Sequence, residues 1–180
     1  MSYTFDEGIS DNCYNCPVVA YYPELIQANI SEVEKTNFLY PHLGIENHKL
    51  FAEQMYEQFK NIIPKLTKKE MEQATEKAFK TYHEYRETVR QEGSRVLKFA
   101  EENNYPVIIL ASRPYHIDPE INHGLDRLLN SLQFVIVTED ALYPVEGKLT
   151  TKTLNQWGYH ARMYNAAKYV SQHKNMELVH

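Results

Sequence analysis

The residues best suited to chemistry lie in the stretch SRPYHIDPEINHG, which begins at Ser112. Arg113 carries a planar guanidinium that suits phosphate or carboxylate, and His116 can donate a proton or a hydrogen bond near neutral pH. A purely structural interpretation competes with this one, because Asp118 followed by Pro119 is the pattern of a helix start. The residue types alone leave both interpretations open.

The two cysteines, Cys13 and Cys16, have the CxxC spacing of a metal or redox pair. A zinc or iron–sulfur site needs a third and usually a fourth ligand, and the sequence has no other cysteine. The histidines of the 112–124 stretch match no compact zinc spacing. A thioredoxin-like site would need the pair at a strand-to-helix junction, whereas the predicted context is an irregular arm. A reduced, a redox-active and a metal-bound pair all stay open.

Composition excludes several classes of function. The chain has 180 residues, a formal net charge of −5 and a pI of about 5.9, so it lacks the basic face that binds nucleic acid or anionic membranes. No apolar run approaches the ~20 residues of a membrane span, and no signal peptide is recognisable. We expect a cytoplasmic protein without nucleic-acid or membrane partners.

The first half of the chain predicts mainly helix. Residues 1–17 read as an irregular arm, and Val18 to Tyr22 as a short strand or extended segment stopped by Pro23. A helix is predicted over 45–62. One or two helical turns are predicted over 24–30.

A capping box, Thr67 with Glu70, predicts the start of a long helix. Gly93 is predicted to bend this helix, which ends near residue 104. Its predicted apolar face comprises Met71, Ala74, Ala78, Tyr82, Tyr85 and Val89.

The second half predicts a parallel α/β unit. PVIIL (106–110) and FVIV (134–137) read as strands buried on both faces, and between them a helix is predicted to begin at Asp118. Its predicted buried face comprises Ile121, Leu125, Leu128, Leu129 and Leu132. A further helix over 157–173 and a strand over 176–179 complete the prediction.

The predicted fold class is α/β, a Rossmann-like parallel sheet flanked by helices, with a long helical elaboration in the first half. We expect one domain over 1–180, with an arm (1–17), a helical segment (45–104) and a parallel core (105–180). Ligands bind outside the carboxyl ends of such strands, which is where Ser112 to Ile117 fall. The chain is expected to be a piece of a longer protein.

Three segments together resemble a known family: NCPVVAYYPELIQANI (15–30), SRPYHIDPEINHGL (112–125) and QWGYHARMYNAAKYVSQHKNMELVH (156–180). They are similar to the 2-hydroxyacyl-CoA dehydratase-type module, in the version carried by large activase-like proteins that activate 2-hydroxyglutaryl-CoA dehydratase. That version is a domain of unknown function. The resemblance covers nearly the whole chain from about residue 12.

The resemblance implies Rossmann-like lobes that hold a [4Fe–4S] cluster through cysteines, and a separate ATP-hydrolysing activase that supplies an electron. Cys16 matches a family cysteine and is the first candidate for a cluster ligand, followed by Cys13. The stretch from Ser112 matches a GRPYH-like loop, with Ser where Gly is usual, and its continuation matches DPxINHG. The residues expected to be catalytic are His116 and Arg113. Those expected to bind a cofactor are Ser112, Arg113, Tyr115, Asn122 and His123.

The sequence also departs from the family pattern. It lacks the family's earlier cysteine segment, the later Gly-Cys-Gly segment and any phosphate-binding loop, so we expect an incomplete cluster, no ATP hydrolysis and an inactive isolated fragment. The expected partners are an activase-type ATPase domain or a dehydratase subunit, with an acyl-CoA-type substrate. Two alternatives are a scaffold that docks through the helix from Thr67, and a metal-free anion-binding module.

Overall fold

A computed structural model of the chain describes residues 2–4, 8–12, 14–113, 117–118, 120–146 and 149–180. The chain divides into two compact units. The first comprises Met1–Tyr82 and Gln156–Gly158, and the second His83–Asn155 and Tyr159–His180. No helix in the described ranges is long and apolar enough to cross a membrane.

The first unit contains short elements that precede the long helix. Strand β1 (Ser2–Thr4) pairs in parallel with β2 (Leu43–Gly44), so the predicted irregular arm includes a three-residue strand. Between these strands lie two helices, α1 (Pro17–Ala20) and α2 (Tyr22–Asn29), and a 3-10 turn (Ser31–Lys35).

The predicted strand or extended segment from Val18 to Tyr22 is wrong, because Val18 to Ala20 lie in α1, Tyr22 begins α2, and Tyr21 is the turn residue between the two helices. The physical reason is the position of the two prolines. Pro17 occupies the first turn of α1 and Pro23 the first turn of α2, where a proline loses no intrahelical hydrogen bond and its fixed φ suits the helix. Pro23 therefore helps to begin a helix rather than to end a strand.

Helix α3 (His48–Phe59) lies within the predicted 45–62 segment, and α4 (Lys68–Glu102) confirms the predicted long helix. The capping box is formed: the Glu70 amide donates to Thr67 Oγ1 at 3.2 Å, and the Thr67 amide donates to Glu70 Oε2 at 2.9 Å. Gly93 does not interrupt α4.

The apolar face predicted for α4 is partly wrong, since Ala74, Ala78, Tyr82 and Tyr85 are exposed. Within the part of α4 that belongs to the first unit, the buried positions are Thr75 and Phe79, each one residue after a predicted position. The Phe79 ring stacks on His48 with centroids 3.7 Å apart, and Phe51 meets it edge-on at 5.3 Å. Packing of α3 against this aromatic ring decides which face is buried.

The second unit contains a three-stranded parallel sheet in the order β4-β3-β5. Strand β3 (Val107–Leu110) pairs with β4 (Val135–Thr138) on one side and β5 (Met176–Val179) on the other. All four β3 residues are buried, as its continuous apolar run predicts. Helix α6 (Gly158–Ser171) precedes β5. The predicted α/β class, with a parallel sheet flanked by helices and one long helix, is confirmed.

The core of this unit forms where α4 and α6 cover the sheet. It includes Ala100 from α4, Ile109 from β3, Val137 from β4 and Ala166 from α6. Gly93 lies against the 3-10 turn Glu139–Ala141, and a Cβ added to this glycine would fall 2.3 Å from the Ala141 carbonyl oxygen. The absence of a side chain at Gly93 thus permits the close approach of helix and turn.

The chain after β4 is fixed by Asn165, a buried residue of α6. Its Oδ1 accepts a hydrogen bond from the Val145 amide at 2.8 Å, and its Nδ2 donates to the Tyr143 carbonyl at 3.2 Å. Both bonds satisfy backbone groups of an irregular segment, which would otherwise be costly to bury.

The predicted helix from Asp118 is wrong over its first turns, since helix α5 spans only Leu125–Ser131. His123 has a φ of 52° and Gly124 of 81°, and left-handed residues cannot continue a right-handed helix. Asp118 caps a turn instead, with its Oδ1 accepting from the Glu120 amide at 2.9 Å. The predicted buried face is also incorrect at three positions, which are exposed: Ile121, Leu128 and Leu132.

Candidate functional site

The three strands of the sheet end at one edge, and polar residues follow each of them. Leu110 of β3 is in register with Thr138 of β4 and Val179 of β5. The next residues along the chain therefore reach the same edge: Ser112 and Arg113 after β3, Glu139 after β4, and His180 after β5. In open parallel sheets this edge is where ligands bind.

Two arginines lie beside one tyrosine of α6. The Arg113 guanidinium carbon is 5.7 Å from the centroid of the Tyr159 ring, and that of Arg162 is 5.2 Å from the same centroid. These distances are in the range of cation–π contacts, which hold a guanidinium against an aromatic ring. Two positive charges are thus placed around Tyr159, next to the sheet edge.

His160 lies in the same cluster. Its pKa is lowered from the ordinary histidine value, first by burial and then by the positive charges of Arg113 and His180. The imidazole is therefore neutral at pH 7, with one nitrogen able to donate and one to accept a hydrogen bond. Its Nδ1 is buried and has no hydrogen-bond partner among the described residues.

Glu139 is the buried carboxyl of this edge, with 5% of its surface exposed. Burial raises its pKa to about 7, and the negative charge of Asp140 acts in the same direction. Hydrogen bonding by the Ser112 amide and the charge of Arg162 oppose that rise. Near neutral pH this carboxyl is therefore divided between its protonated and ionised forms.

The structure brings together two of the predicted site residues, Ser112 and Arg113. Ser112 is buried, with 9% of its surface exposed, and Arg113 is half-buried. The predicted residues Tyr115 and His116 lie outside the described residues, as does Pro114.

Asn122 and His123 contribute to a turn. The Asn122 Oδ1 accepts from the Gly124 amide at 2.8 Å, and its Nδ2 donates to the Ile117 carbonyl at 3.5 Å. His123 is exposed and adopts the left-handed conformation. These observations give both residues a role in the backbone of the loop that leads into α5. The ligand contacts predicted for them remain predictions.

Cys16 belongs to the first unit, where it precedes α1 and is half-buried. Its amide donates to Asn15 Oδ1 at 2.9 Å and its carbonyl accepts from the Ala20 amide at 3.0 Å. Cys13 lies outside the described residues. Within the described part of the chain, no group of three or more metal-binding side chains is assembled. Cys16 alone therefore does not make a cluster site there, since an iron–sulfur cluster needs several thiolates.

Sequence reasoning missed four residues of the site: Glu139, Tyr159, His160 and Arg162. The signal for Glu139 was present, because a carboxyl directly after a buried parallel strand falls at the ligand-binding edge of the sheet. The other three lie in the 156–180 segment that carries the resemblance, but nothing in that segment assigned them a role. They become neighbours of Arg113 only when α6 packs beside the sheet.

Fold and site define a class of protein: an α/β domain with a parallel sheet and a polar cluster at its carboxyl edge. Residues 1–142 match the model of the family described as CoA enzyme activase uncharacterised domain, and the chain belongs to that family. The matched range includes Arg113 and Glu139 but ends before α6. No curated protein and no solved structure matches the chain significantly. The resemblance to the domain of unknown function in activase-like proteins is thereby confirmed.

Proposed function

We propose that this CoA enzyme activase-related domain binds the anionic part of an acyl-CoA-type ligand at the carboxyl edge of its sheet. The observation that carries the proposal is the placement of Arg113 beside Tyr159 and His160, at the point where the parallel strands end. In the complete protein, this binding would serve iron–sulfur-dependent electron transfer to the acyl-CoA.

Each residue of the proposed site contributes a different chemical property to ligand binding. The Arg113 guanidinium presents a planar set of donors that matches a phosphate or carboxylate group. Neutral His160 can donate a hydrogen bond without adding a charge. The first turn of the 14-residue helix α6 adds a favourable potential for anions. His116 is proposed to transfer protons, as its residue type and position after β3 predict.

The binding test is a calorimetric titration with acetyl-CoA as the probe. The Arg113→Gln variant should bind about 10-fold or more weakly than the wild type, because hydrogen bonds to charged groups contribute roughly 1.5–3 kcal/mol. Arg127→Gln is the matched control, since Arg127 is exposed on α5. Equal affinity in all three proteins would refute the assignment of Arg113, and no binding by the wild type would refute the function.

Cys16 is proposed to give one thiolate to a [4Fe–4S] cluster whose other ligands lie outside the described residues. It is half-buried and directly precedes helix α1. Cys13 is the candidate for a second ligand.

The test uses the longer protein of which this chain is expected to be a piece. It is reconstituted anaerobically with iron and sulfide, and the cluster is then measured by visible absorption and iron counting. Cys16→Ser should lower the iron content and the cluster absorbance, and Cys13→Ser measures whether both cysteines are ligands. An unchanged spectrum in Cys16→Ser would remove Cys16 from the ligand set.

A second candidate function is docking of an activase-type ATPase domain or a dehydratase subunit. Exposed apolar side chains in and between α1 and α2 favour it: Val18 is 57% exposed, Tyr21 56% and Leu25 51%. On the helix from Thr67 that the sequence suggested for docking, Tyr85 is 63% exposed. Sedimentation of the chain with an activase-type ATPase domain distinguishes the two surfaces. If the complex forms through α2, Leu25→Asp should abolish it. If the complex forms through α4, Tyr85→Asp should abolish it.

A further inference from the structure

We propose that a cleft between helices α3 and α4 binds a small zwitterion of the α-amino-acid class, a molecule that carries one ammonium and one carboxylate. The cleft lies within the first unit, and its lining includes His48, Lys49, Ala52, Glu72, Thr75 and Glu76. Its volume of about 380 Å³ is in the range of roughly 300–1,000 Å³ that small-molecule sites occupy. This site shares no residue with the anion site proposed above and does not depend on it.

Aromatic packing holds the two helices that form the cleft. The Phe79 ring of α4 stacks on the His48 ring with centroids 3.7 Å apart, and Phe51 meets it edge-on at 5.3 Å. Further along α3, the Lys68 ammonium lies 5.6 Å from the centroid of the Tyr56 ring. The start of α3 therefore faces a later part of α4, so the two helices run antiparallel. The cleft lies between these two sets of contacts.

A buried hydroxyl without a partner lines this cleft. Thr75 is only 4% exposed, and its hydroxyl makes no hydrogen bond within the described part of the chain. The hydroxyl of Thr88, on the same helix, instead donates to the Glu84 carbonyl at 2.8 Å. A buried polar group without a partner costs free energy. A polar ligand atom in the cleft would supply the partner that Thr75 lacks.

The α4 side of the cleft is negatively charged. Glu72 and Glu76 are four residues apart, so they lie on one face of the helix, and both are exposed. Neither carboxylate forms an ion pair with a described residue. An ammonium group has three N–H donors, and the two carboxylates with the Thr75 hydroxyl offer it three acceptors. This side therefore suits the ammonium of a ligand.

The α3 side of the cleft is positively charged. Lys49 lies in the first turn of this 12-residue helix, and its ammonium forms no ion pair with a described residue. The Asn47 side chain caps the helix by accepting from the Leu50 amide at 3.0 Å, while the Lys49 amide has no hydrogen-bond partner in the described ranges. A carboxylate is favoured at such a helix start. A ligand with one charge would match only one side, so the two sides together favour a zwitterion.

The experiment titrates the 180-residue chain with L-leucine and follows the backbone amide shifts of Lys49, Ala52 and Thr75. The matched probes are N-acetyl-L-leucine, which lacks the ammonium, and L-leucinamide, which lacks the carboxylate. L-leucine should give saturable shifts. Both derivatives should bind about 10-fold or more weakly, because each loses hydrogen bonds between charged groups.

Two variants test the residues of the cleft. Thr75→Val removes the hydroxyl but keeps the branched shape, and Glu72→Gln removes one charge, so each should bind L-leucine about 10-fold more weakly. Glu53→Gln is the matched control, since Glu53 is an exposed glutamate of α3 outside the lining of the cleft. Because Glu72 is exposed, its substitution tests the site even if Thr75→Val does not fold.

Three results would overturn the proposal. The first is the absence of shifts at Lys49, Ala52 and Thr75 with L-leucine. The second is equal affinity for L-leucine in Glu72→Gln and the control. The third is binding of L-leucinamide as tight as that of L-leucine, which would make the cleft a site for simple organic cations.

Discussion

Glu139 shows how a single residue can link the fold to its chemistry. Glu139 follows strand β4 and begins the 3-10 turn Glu139–Ala141, which packs against Gly93 of α4. Its carboxyl is therefore removed from water in the folded chain. A buried carboxyl whose pKa is raised binds its proton more tightly in the folded state than in the unfolded state. The stability of the chain must therefore depend on pH.

The sign of this dependence follows from linkage. The pKa of Glu139 rises from 4.5 to about 7 on folding, so its contribution to stability is complete below pH 4.5 and is lost as the pH rises to about 7. This shift corresponds to about 3 kcal/mol. Chemical denaturation at pH 5 and pH 8 should show that the wild type loses more stability than Glu139→Gln over this interval. Parallel losses in the two proteins would contradict the assignment.

The residue types alone did not determine which residues of the 112–124 stretch belong to the candidate site. Arg113 lies beside Tyr159 at the carboxyl edge of the sheet, and its position after a buried strand follows from the topology. Asn122 instead hydrogen-bonds within its own turn, and its sequence environment, DPEINHG, is equally compatible with both roles. Side-chain contacts with α6 could not be predicted, since they depend on how separate elements pack.

At the scale of elements, a capping signal in the sequence predicted where a turn begins, but it did not predict the length of the helix. The capping box of Thr67 and Glu70 begins α4 as predicted. Asp118 and Pro119 gave a comparable signal, but the left-handed His123 and Gly124 prevent the turn from continuing into α5. A cap thus specifies where a turn begins and carries no information about how far the helix extends.

The capping box provides a direct test. Thr67→Ala removes the hydroxyl that accepts from the Glu70 amide, so the free energy of unfolding should fall by about 1 kcal/mol. Thr88→Ala is the matched control, since Thr88 is an exposed threonine within α4 whose hydroxyl donates only to the Glu84 carbonyl. Urea denaturation measures both, and a loss in the control as large as in Thr67→Ala would show that capping is not the cause.

Gly93 gives a prediction whose sign opposes helix propensity. Alanine in place of a glycine within a helix normally stabilises by roughly 1 kcal/mol. Here the added Cβ would fall 2.3 Å from the Ala141 carbonyl oxygen, which is backbone and cannot move without displacing the turn that carries Glu139. Gly93→Ala should therefore destabilise by about 1–3 kcal/mol. Ser94→Ala, at the exposed neighbouring position, should be neutral or stabilising, and a stabilised Gly93→Ala variant would contradict the close contact.

At the scale of the whole molecule, the α/β class was predictable because the central strand is a continuous apolar run: VIIL forms β3 and is buried at all four positions. The strands VIVT and MELV beside it are mainly half-buried, so the burial predicted for the strand over 134–137 is only partly correct. The division into two compact units was not visible in the sequence, since the helix from Lys68 to Glu102 runs through the boundary without a break. Long-range packing, rather than any local pattern, determines that division.

The central claim is that an acyl-CoA-type anion binds at the carboxyl edge of the sheet. The most direct measurement is a map of backbone amide shifts for the 180-residue chain during a titration with acetyl-CoA. We expect saturable changes at Ser112, Arg113, Glu139 and His160, where the polar cluster lies. The absence of changes at this edge, or changes confined to α1 and α2, would contradict the claim.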